Sequence, residues 1–392
     1  MPRSTLPLLL LLIGLACPVR AAPRVPDNDA QVLERVPARA GDARSRALEA
    51  QRAAWRRDPQ NVALSVALAR RYVEEAAAQG DPRYVGYAQA ALAPWWNAAA
   101  PPVSVRVQRA VLRQYGHQFD PALADLAAAV QAEPDNAEAW SWQAAIHMVR
   151  ADYVAARRDC AALAPLVPAL IATACNAYLD SMTGQAAPAA AALAAAVQAA
   201  PEADAAQRLW VLTRLAEIEQ RRGDVAAAER AFRAALALGQ DDVYLLAAYA
   251  DLLLDLGRAA EVLPLLKDGA RADVLMLRLA LAAKATGDAR AAGWTRELAA
   301  RFDAARARGD STHEKEESRF ALALLGDAPR ALTLARANYA LQREAADARV
   351  LLEAAVAARQ PEAAAPVLAW LASGPVEDAA LRTLAAQLKG LR

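Results

Sequence analysis

From about Asn28 onward the chain repeats one pattern. Apolar residues recur three and four positions apart for one to two dozen residues, then stop at a glycine or proline. That spacing gathers apolar side chains on one face of a helix. The stops fall at Pro59, Gly80, Pro134, Pro168, Gly184, Pro201, Gly223, Gly257, Gly287, Gly326 and Gly374. No stretch alternates apolar and polar residues long enough to predict a strand. The expected fold class is all-α.

The stops also recur at a fixed distance. Pro134 and Pro168 stand 34 residues apart, as do Gly223 and Gly257. Such a period predicts a solenoid of antiparallel helix pairs, because one pair cannot cover its own apolar face and stacked neighbours can. Between Gly287 and Gly326 the distance is 39 residues, so a helix there is lengthened. The period arithmetic gives about eight helix pairs and a terminal cap.

Residue types within the period agree. In the run from Ala137 to Pro168, Trp140 takes the first large position, Ala144 a small one, and His147 a slot usually filled by tyrosine. Asp152 and Tyr153 form the turn, Ala156 is the close-contact alanine, Cys160 stands where phenylalanine is usual, and Pro168 closes the unit. Small residues let two antiparallel helices touch, large ones fill the gap between pairs, and proline ends the second helix. Gly223, Ala228, Phe232 and Ala235 repeat the second-helix pattern, and Leu246, Tyr249, Ala250, Leu253, Gly257 and Leu266 give the next unit. Leu68, Ala69 and Tyr72 form an earlier first helix, and Phe119, Ala122, Leu126, Ala129 and Pro134 a second one. Arg106 and Arg109 fall on core slots before it, which sets the Arg106–Tyr115 helix apart from a regular repeat helix.

These residues at this period resemble the tetratricopeptide repeat (TPR) family, over most of 43–372. The chain is also similar to exported TPR proteins of proteobacteria. The resemblance implies a right-handed superhelical solenoid of antiparallel helix pairs with a concave groove. It implies a non-catalytic scaffold that binds a protein or peptide. The expected organisation is a signal peptide over 1–21, an extended segment over 22–40, the repeat array over 41–375 and a capping helix over 376–392.

Composition narrows the function classes. Hydrophobic residues make up 56% of the 392, mostly alanine and leucine, and aromatics only 5%. Small side chains of this kind suit closely approaching helices. Charged residues are 23% and nearly cancel to a formal +1. No basic stripe suggests nucleic acid, and no acidic tail suggests a basic partner.

The first residues follow another rule. An arginine precedes an unbroken apolar run from Leu6 to Ala16, and small residues follow. That order reads as an export signal cleaved after Ala21, with Val19 and Ala21 as the two small side chains. The run is shorter than the ~20 apolar residues a permanent span needs. The expected location is the periplasm. The rival reading is a membrane-anchored lipoprotein acylated at Cys17, since "IGLAC" approaches the small-residue box before a lipidated cysteine. That rival would be a structural subunit or assembly factor of the cell envelope, working through its outer faces. Only it would bring the protein to a membrane.

Without the signal, Cys160 and Cys175 remain. They fall on helices that neighbour in a solenoid, so they either form a disulfide or stay as two buried thiols.

Other chemistry is sparse. His147 has no ligand partner at i+3 or i+4 and reads as a packed ring with a satisfied hydrogen bond. His313 and Glu317 share a helix face, but no second histidine or cysteine is near, so "THEKEES" reads as a helix start capped by Ser311 or Thr312. There is no Gly-x-Gly phosphate loop and no Ser/His/Asp set. Adjacent Trp95 and Trp96 read as packing beneath a loop. No catalytic residue, metal, cofactor or small-molecule substrate is expected. For partner binding, the groove-facing positions of the first helices are Arg70, Trp142, Arg214, Glu217, Tyr244, Asp251, Arg278 and Lys284. Trp142, Arg214, Tyr244, Asp251 and Arg278 are the leading candidates, because aromatic and arginine side chains carry most interface energy.

Overall fold

Local capping explains where the helices of this chain begin. Asn61, Asn136, Asp152, Asp204, Asp224, Asp242, Asp327 and Asp378 each accept the backbone N–H three residues on, which satisfies one of the free donors of a first turn. In the computed structural model, which describes residues 43–391, these caps start first and second helices of a series of hairpins. The helices are α1 (Ala43–Arg57), α2 (Val62–Gln79), α3 (Arg83–Ala91), α4 (Ala93–Trp96), α5 (Val103–Tyr115), α6 (Phe119–Ala132) and α7 (Ala137–Val149). Next come α8 (Tyr153–Leu163), α9 (Ala169–Met182), α10 (Ala186–Ala199), α11 (Ala205–Arg222), α12 (Val225–Leu236), α13 (Val243–Asp255) and α14 (Ala259–Leu265). The last are α15 (Asp273–Thr286), α16 (Ala291–Ala307), α17 (Glu314–Phe320), α18 (Ala328–Leu341), α19 (Ala345–Ala357), α20 (Ala365–Ser373) and α21 (Ala379–Gly390).

The fold is all-α, with sequential antiparallel pairs. They are α2/α3, α5/α6, α7/α8, α9/α10, α11/α12, α13/α14, α15/α16, α17/α18 and α19/α20, one more than the period arithmetic gives. The lengthened helix is α16, with 17 residues. The cap is shorter than expected, running over Ala379–Gly390. Leu48 onward forms one compact unit; of the unit before it, only the first residues of α1 are described. The expected signal peptide, the 22–40 segment and Cys17 lie outside the described residues. No described helix is long and apolar enough to cross a membrane.

Alanines set the spacing within pairs. Ala122, Ala129, Ala156, Ala228 and Ala235 are fully buried, so paired helices meet with little side chain between them. Phe232, Leu126 and Leu193 fill the wider gaps between pairs. The largest apolar cluster runs without a break from Leu170 to Ala282.

Two local expectations need correction. Arg106 and Arg109 do not interrupt the array: α5 is a regular first helix. Buried Asp125 on α6 compensates them. It accepts from Arg109 Nε at 2.7 Å and Nη2 at 2.6 Å, and from Arg113 at 2.6 Å. Arg109 also donates to the carbonyls of Trp96 and Ala98 at 2.7 and 3.0 Å, tying off the end of α4. The cap of α17 is likewise not Ser311 or Thr312. His313 holds that position without a side-chain bond, because Asp310 has already taken the Thr312 amide and hydroxyl. The acidic first turn, Glu314, Glu316 and Glu317, is present.

A further property was not expected at all: the coil closes on itself. Gly80, at the end of α2, lies against Val243 and Ala272, at the starts of α13 and α15. Gly184, after α9, lies against Pro375. The amide of Ala186 donates to Glu377 at 2.8 Å, and that of Arg343 donates to the Val149 carbonyl at 2.7 Å. Ends of early first helices thus sit on segments some 150 to 200 residues later. Cys160 and Cys175 form a disulfide, Cα atoms 5.8 Å apart, that joins α8 to α9.

Two measurements probe these contacts. Gly184 has φ +87° and a Cβ there would fall 2.5 Å from Pro375, whereas Gly239, at φ +67°, has open space around it. Gly184→Ala is expected to lower unfolding stability by about 2 kcal/mol more than Gly239→Ala, which carries only the ~1 kcal/mol left-handed backbone cost. Equal losses in denaturant melts would show that the turns do not touch. Replacing both Cys160 and Cys175 by serine should cost about 3 kcal/mol, the loop-closure value for this separation. The check is an unfolding curve that reducing agent shifts in the parent but not in the double variant.

Candidate functional site

The inner side of the coil is built from the first helices, and α11 shows how. Leu209, Val211, Leu212 and Leu215 bury their side chains in the array. Trp210, Arg214, Glu217 and Arg221 are left in a stripe at helical spacing. The Arg214 guanidinium lies between two tyrosine rings, 5.2 Å from the centroid of Tyr178 on α9 and 5.1 Å from that of Tyr244 on α13. Arg214 Nη1 donates to Glu217 at 2.8 Å, and the Tyr244 hydroxyl donates to the other oxygen of the same carboxylate. Arg221 covers the Tyr178 ring at 5.2 Å and donates to Ser181 at 2.8 Å. The Tyr178 hydroxyl reaches across the coil to Glu344, 3.1 Å away.

Electrostatics fix the state of this group. Burial, reinforced by Glu344, pushes the Tyr178 hydroxyl well above its ordinary range, and burial does the same to Tyr244. Both therefore remain neutral donors. Burial disfavours the Arg214 charge, but Glu217, Tyr244, Tyr178 and Glu344 together outweigh it and hold the guanidinium protonated. Tyr244 nevertheless keeps 50% of its surface open and Trp210 keeps 40%. They are two large, partly exposed aromatic side chains on neighbouring first helices.

A second cluster lies further along. Asp251 on α13 receives two guanidiniums edge-on. Arg278 of α15 donates at 3.0 and 2.7 Å, and Arg319 of α17 at 2.9 Å to each oxygen. Burial alone would raise the Asp251 carboxyl; the two arginines together outweigh it and hold the group well below the usual range. One helical turn on, Asp255 takes both nitrogens of Arg349 from α19 at 2.6 and 2.7 Å. At the other end of the coil Glu138 of α7 receives Gln108 of α5 at 2.6 Å and Arg70 of α2.

The candidate positions therefore divide. Arg214, Glu217 and Tyr244 come together, as do Asp251 and Arg278. Trp142 is half-buried and packs on the α5–α6 cluster around Val107 and Ile146. Lys284 donates to the Ala323 carbonyl at 2.7 Å, inside the π-turn Ala321–Leu325. Trp95 and Trp96 are half-buried, and Arg113 covers the Trp96 ring at 5.9 Å. His147 is bonded to buried Asp159 at 2.6 Å. Among the described residues no group of three or more metal-ligating side chains is placed to hold an ion. Sequence reasoning missed Trp210, whose signal was available: it stands four residues before Arg214 on the same helix. It also missed Tyr178 and Glu344, which no local pattern connects.

No protein-family model matches the chain. No curated protein matches it in sequence. Among solved structures it is similar to a tetratricopeptide repeat protein from Parabacteroides merdae, at 14% identity and TM-score 0.35, over 73% of this chain and 98% of that one. It is also similar to the TPR domain of P58(IPK), at 15% identity and TM-score 0.23, over 90% of this chain and 94% of that domain. The class defined by the helices and their pairing is an all-α repeat array.

Asp251→Asn should cost about 2–3 kcal/mol at pH 7, below the 3–5 of a fully buried broken pair because the carboxylate is partly open to solvent. The folded carboxyl titrates below the unfolded one. Its stabilisation is therefore complete above about pH 4 and lost as pH falls through the depressed value. Denaturant melts at pH 7 and pH 3 should show a smaller difference between variant and parent at the lower pH. A constant difference would count against the arginine clamp.

Proposed function

We propose that the protein is an exported, non-catalytic helical-repeat scaffold that holds a segment of a partner protein against the inner stripe of its first helices. The observation that carries this reading is the pair of partly exposed aromatics, Trp210 and Tyr244, on the stripe that holds the Arg214 guanidinium. Rigid aromatic and arginine side chains are the ones that anchor partners, and here Arg214 is preset by Tyr178 and Glu217, and Tyr244 by Glu217. Arg278 and Asp251 act behind them by fixing the curvature of the stripe. Export is supported by the basic start and short apolar core of the first residues, and by a disulfide, which persists in an oxidising compartment.

One observation favours the second reading, a lipid-anchored envelope subunit working through its outer faces. Most inner charges are already paired with each other, while Val154 on the second helix α8 is 86% exposed. A photocrosslinking residue in place of Tyr244 or of Val154, installed in the native host, separates the two. The groove reading predicts one discrete adduct from position 244 and none from 154. Adducts from 154 alone favour the outer faces, and none from either site removes both. In the same cells a mature amino terminus at Ala22 supports the exported form, and palmitate labelling lost in Cys17→Ser supports the anchored one.

A further inference from the structure

One cleft lies apart from the inner stripe. It has a volume of about 300 Å3 and opens where the α5–α6 turn, the α7–α8 turn and the α18–α19 connection meet. The meeting is held by the Arg343–Val149 main-chain bond and by the Gln342 amide nitrogen, 2.6 Å from His117 Nε2. Two of the three histidines in the sequence, His117 and His147, line it. Both turns at its edge also place a side-chain-bearing residue in the left-handed region, His117 at φ 55° and Ala151 at φ 58°. Glycine takes that conformation after α11 and α13, at Gly223 and Gly257. Strain of this kind collects where a turn must present a particular shape.

The side chains define what the cleft can take. The His147 ring is fixed by Asp159, which is fully buried and 2.6 Å from Nδ1. A carboxylate only accepts, so Nδ1 carries the hydrogen and Nε2 is the ring nitrogen left without a protein partner. Arg343 also lines the cleft, and its guanidinium, whose charge reaches Tyr339, makes no hydrogen bond or ion pair among the described residues. The acidic groups nearby are engaged: Asp120 with Arg150, and Asp152 with the Ala155 amide. Phe119, Leu123 and Leu341 supply an apolar wall, Leu341 being 43% exposed.

We propose that this cleft binds a small hydroxylated organic anion, with its carboxylate on Arg343 and a hydroxyl on His147 Nε2. A guanidinium fork matches a carboxylate edge-on, and a hydroxyl, which both donates and accepts, is the group that pairs with Nε2. The apolar wall faces the carbon skeleton. The volume is at the lower end of small-molecule sites, which limits the ligand to a compact acid.

Calorimetric titration of the full chain with malate, tartrate and gluconate tests this, with succinate as the acid lacking a hydroxyl. At least one hydroxy acid is expected to bind at millimolar concentration or below, and succinate about tenfold more weakly or not at all, for the loss of one hydrogen bond. Arg343→Ala and Leu341→Trp, both at exposed positions, should each weaken binding tenfold or more while circular dichroism stays unchanged. Absence of heat with all three hydroxy acids overturns the proposal. So does binding that either variant leaves intact, and succinate binding as tight as the best hydroxy acid.

Discussion

The Asp251 carboxylate binds two guanidiniums at once, and by doing so draws three successive first helices, α13, α15 and α17, onto one point. Packed helices lie about 8–10 Å apart, so a flat stack would put α19 roughly 25 Å or more from α13. Instead Arg349 of α19 reaches Asp255, one turn from Asp251. The array is therefore curled tightly enough for helices three pairs apart to share ion pairs. Glu138 does the same for α2, α5 and α7. A polar side chain that bridges neighbours on the inner side, while alanines set the distance within each pair, leaves little freedom in the curvature.

That curl has two consequences for function. It turns what would be an open groove into an inner face whose charges meet one another, as Tyr178 meets Glu344 and Lys315 approaches buried Asp347 at 3.6 Å. Trp210 and Tyr244 stay partly exposed within this face. The same curl brings the ends of early hairpins against the α18–α19 connection, and so creates the cleft of His117, His147 and Arg343. Neither arrangement exists within a single hairpin. Each depends on the array returning to itself.

The legible part of the site was the part written in local spacing. Arg214 and Glu217 share a helix face, and Tyr244 and Asp251 stand on the next first helix, so their common side followed from the helical period. Their contacts did not. Arg278 reads as a groove side chain by position, but a guanidinium that is almost fully buried against Asp251 is structural, and its partner Arg319 is 68 residues from that carboxylate. Arg106 and Arg109 read as faults in a repeat helix because their answer, Asp125, lies on the following helix and was not paired with them. Trp142 occupies a plausible inner position and packs half-buried on α5 and α6 instead.

By itself the sequence determined the helices, their order and their pairing. The apolar period selects one face, Asn and Asp caps start eight of the helices, and glycine or alanine spacing lets consecutive helices close on each other, all through contacts within a few tens of residues. Only the tertiary structure decided the curvature, the closure of one turn upon another, and which charged side chains face a partner rather than each other. Those depend on the rotation between successive pairs, summed over the array. No local residue pattern encodes that sum, and long-range pairs such as Tyr178–Glu344 and Val149–Arg343 record it.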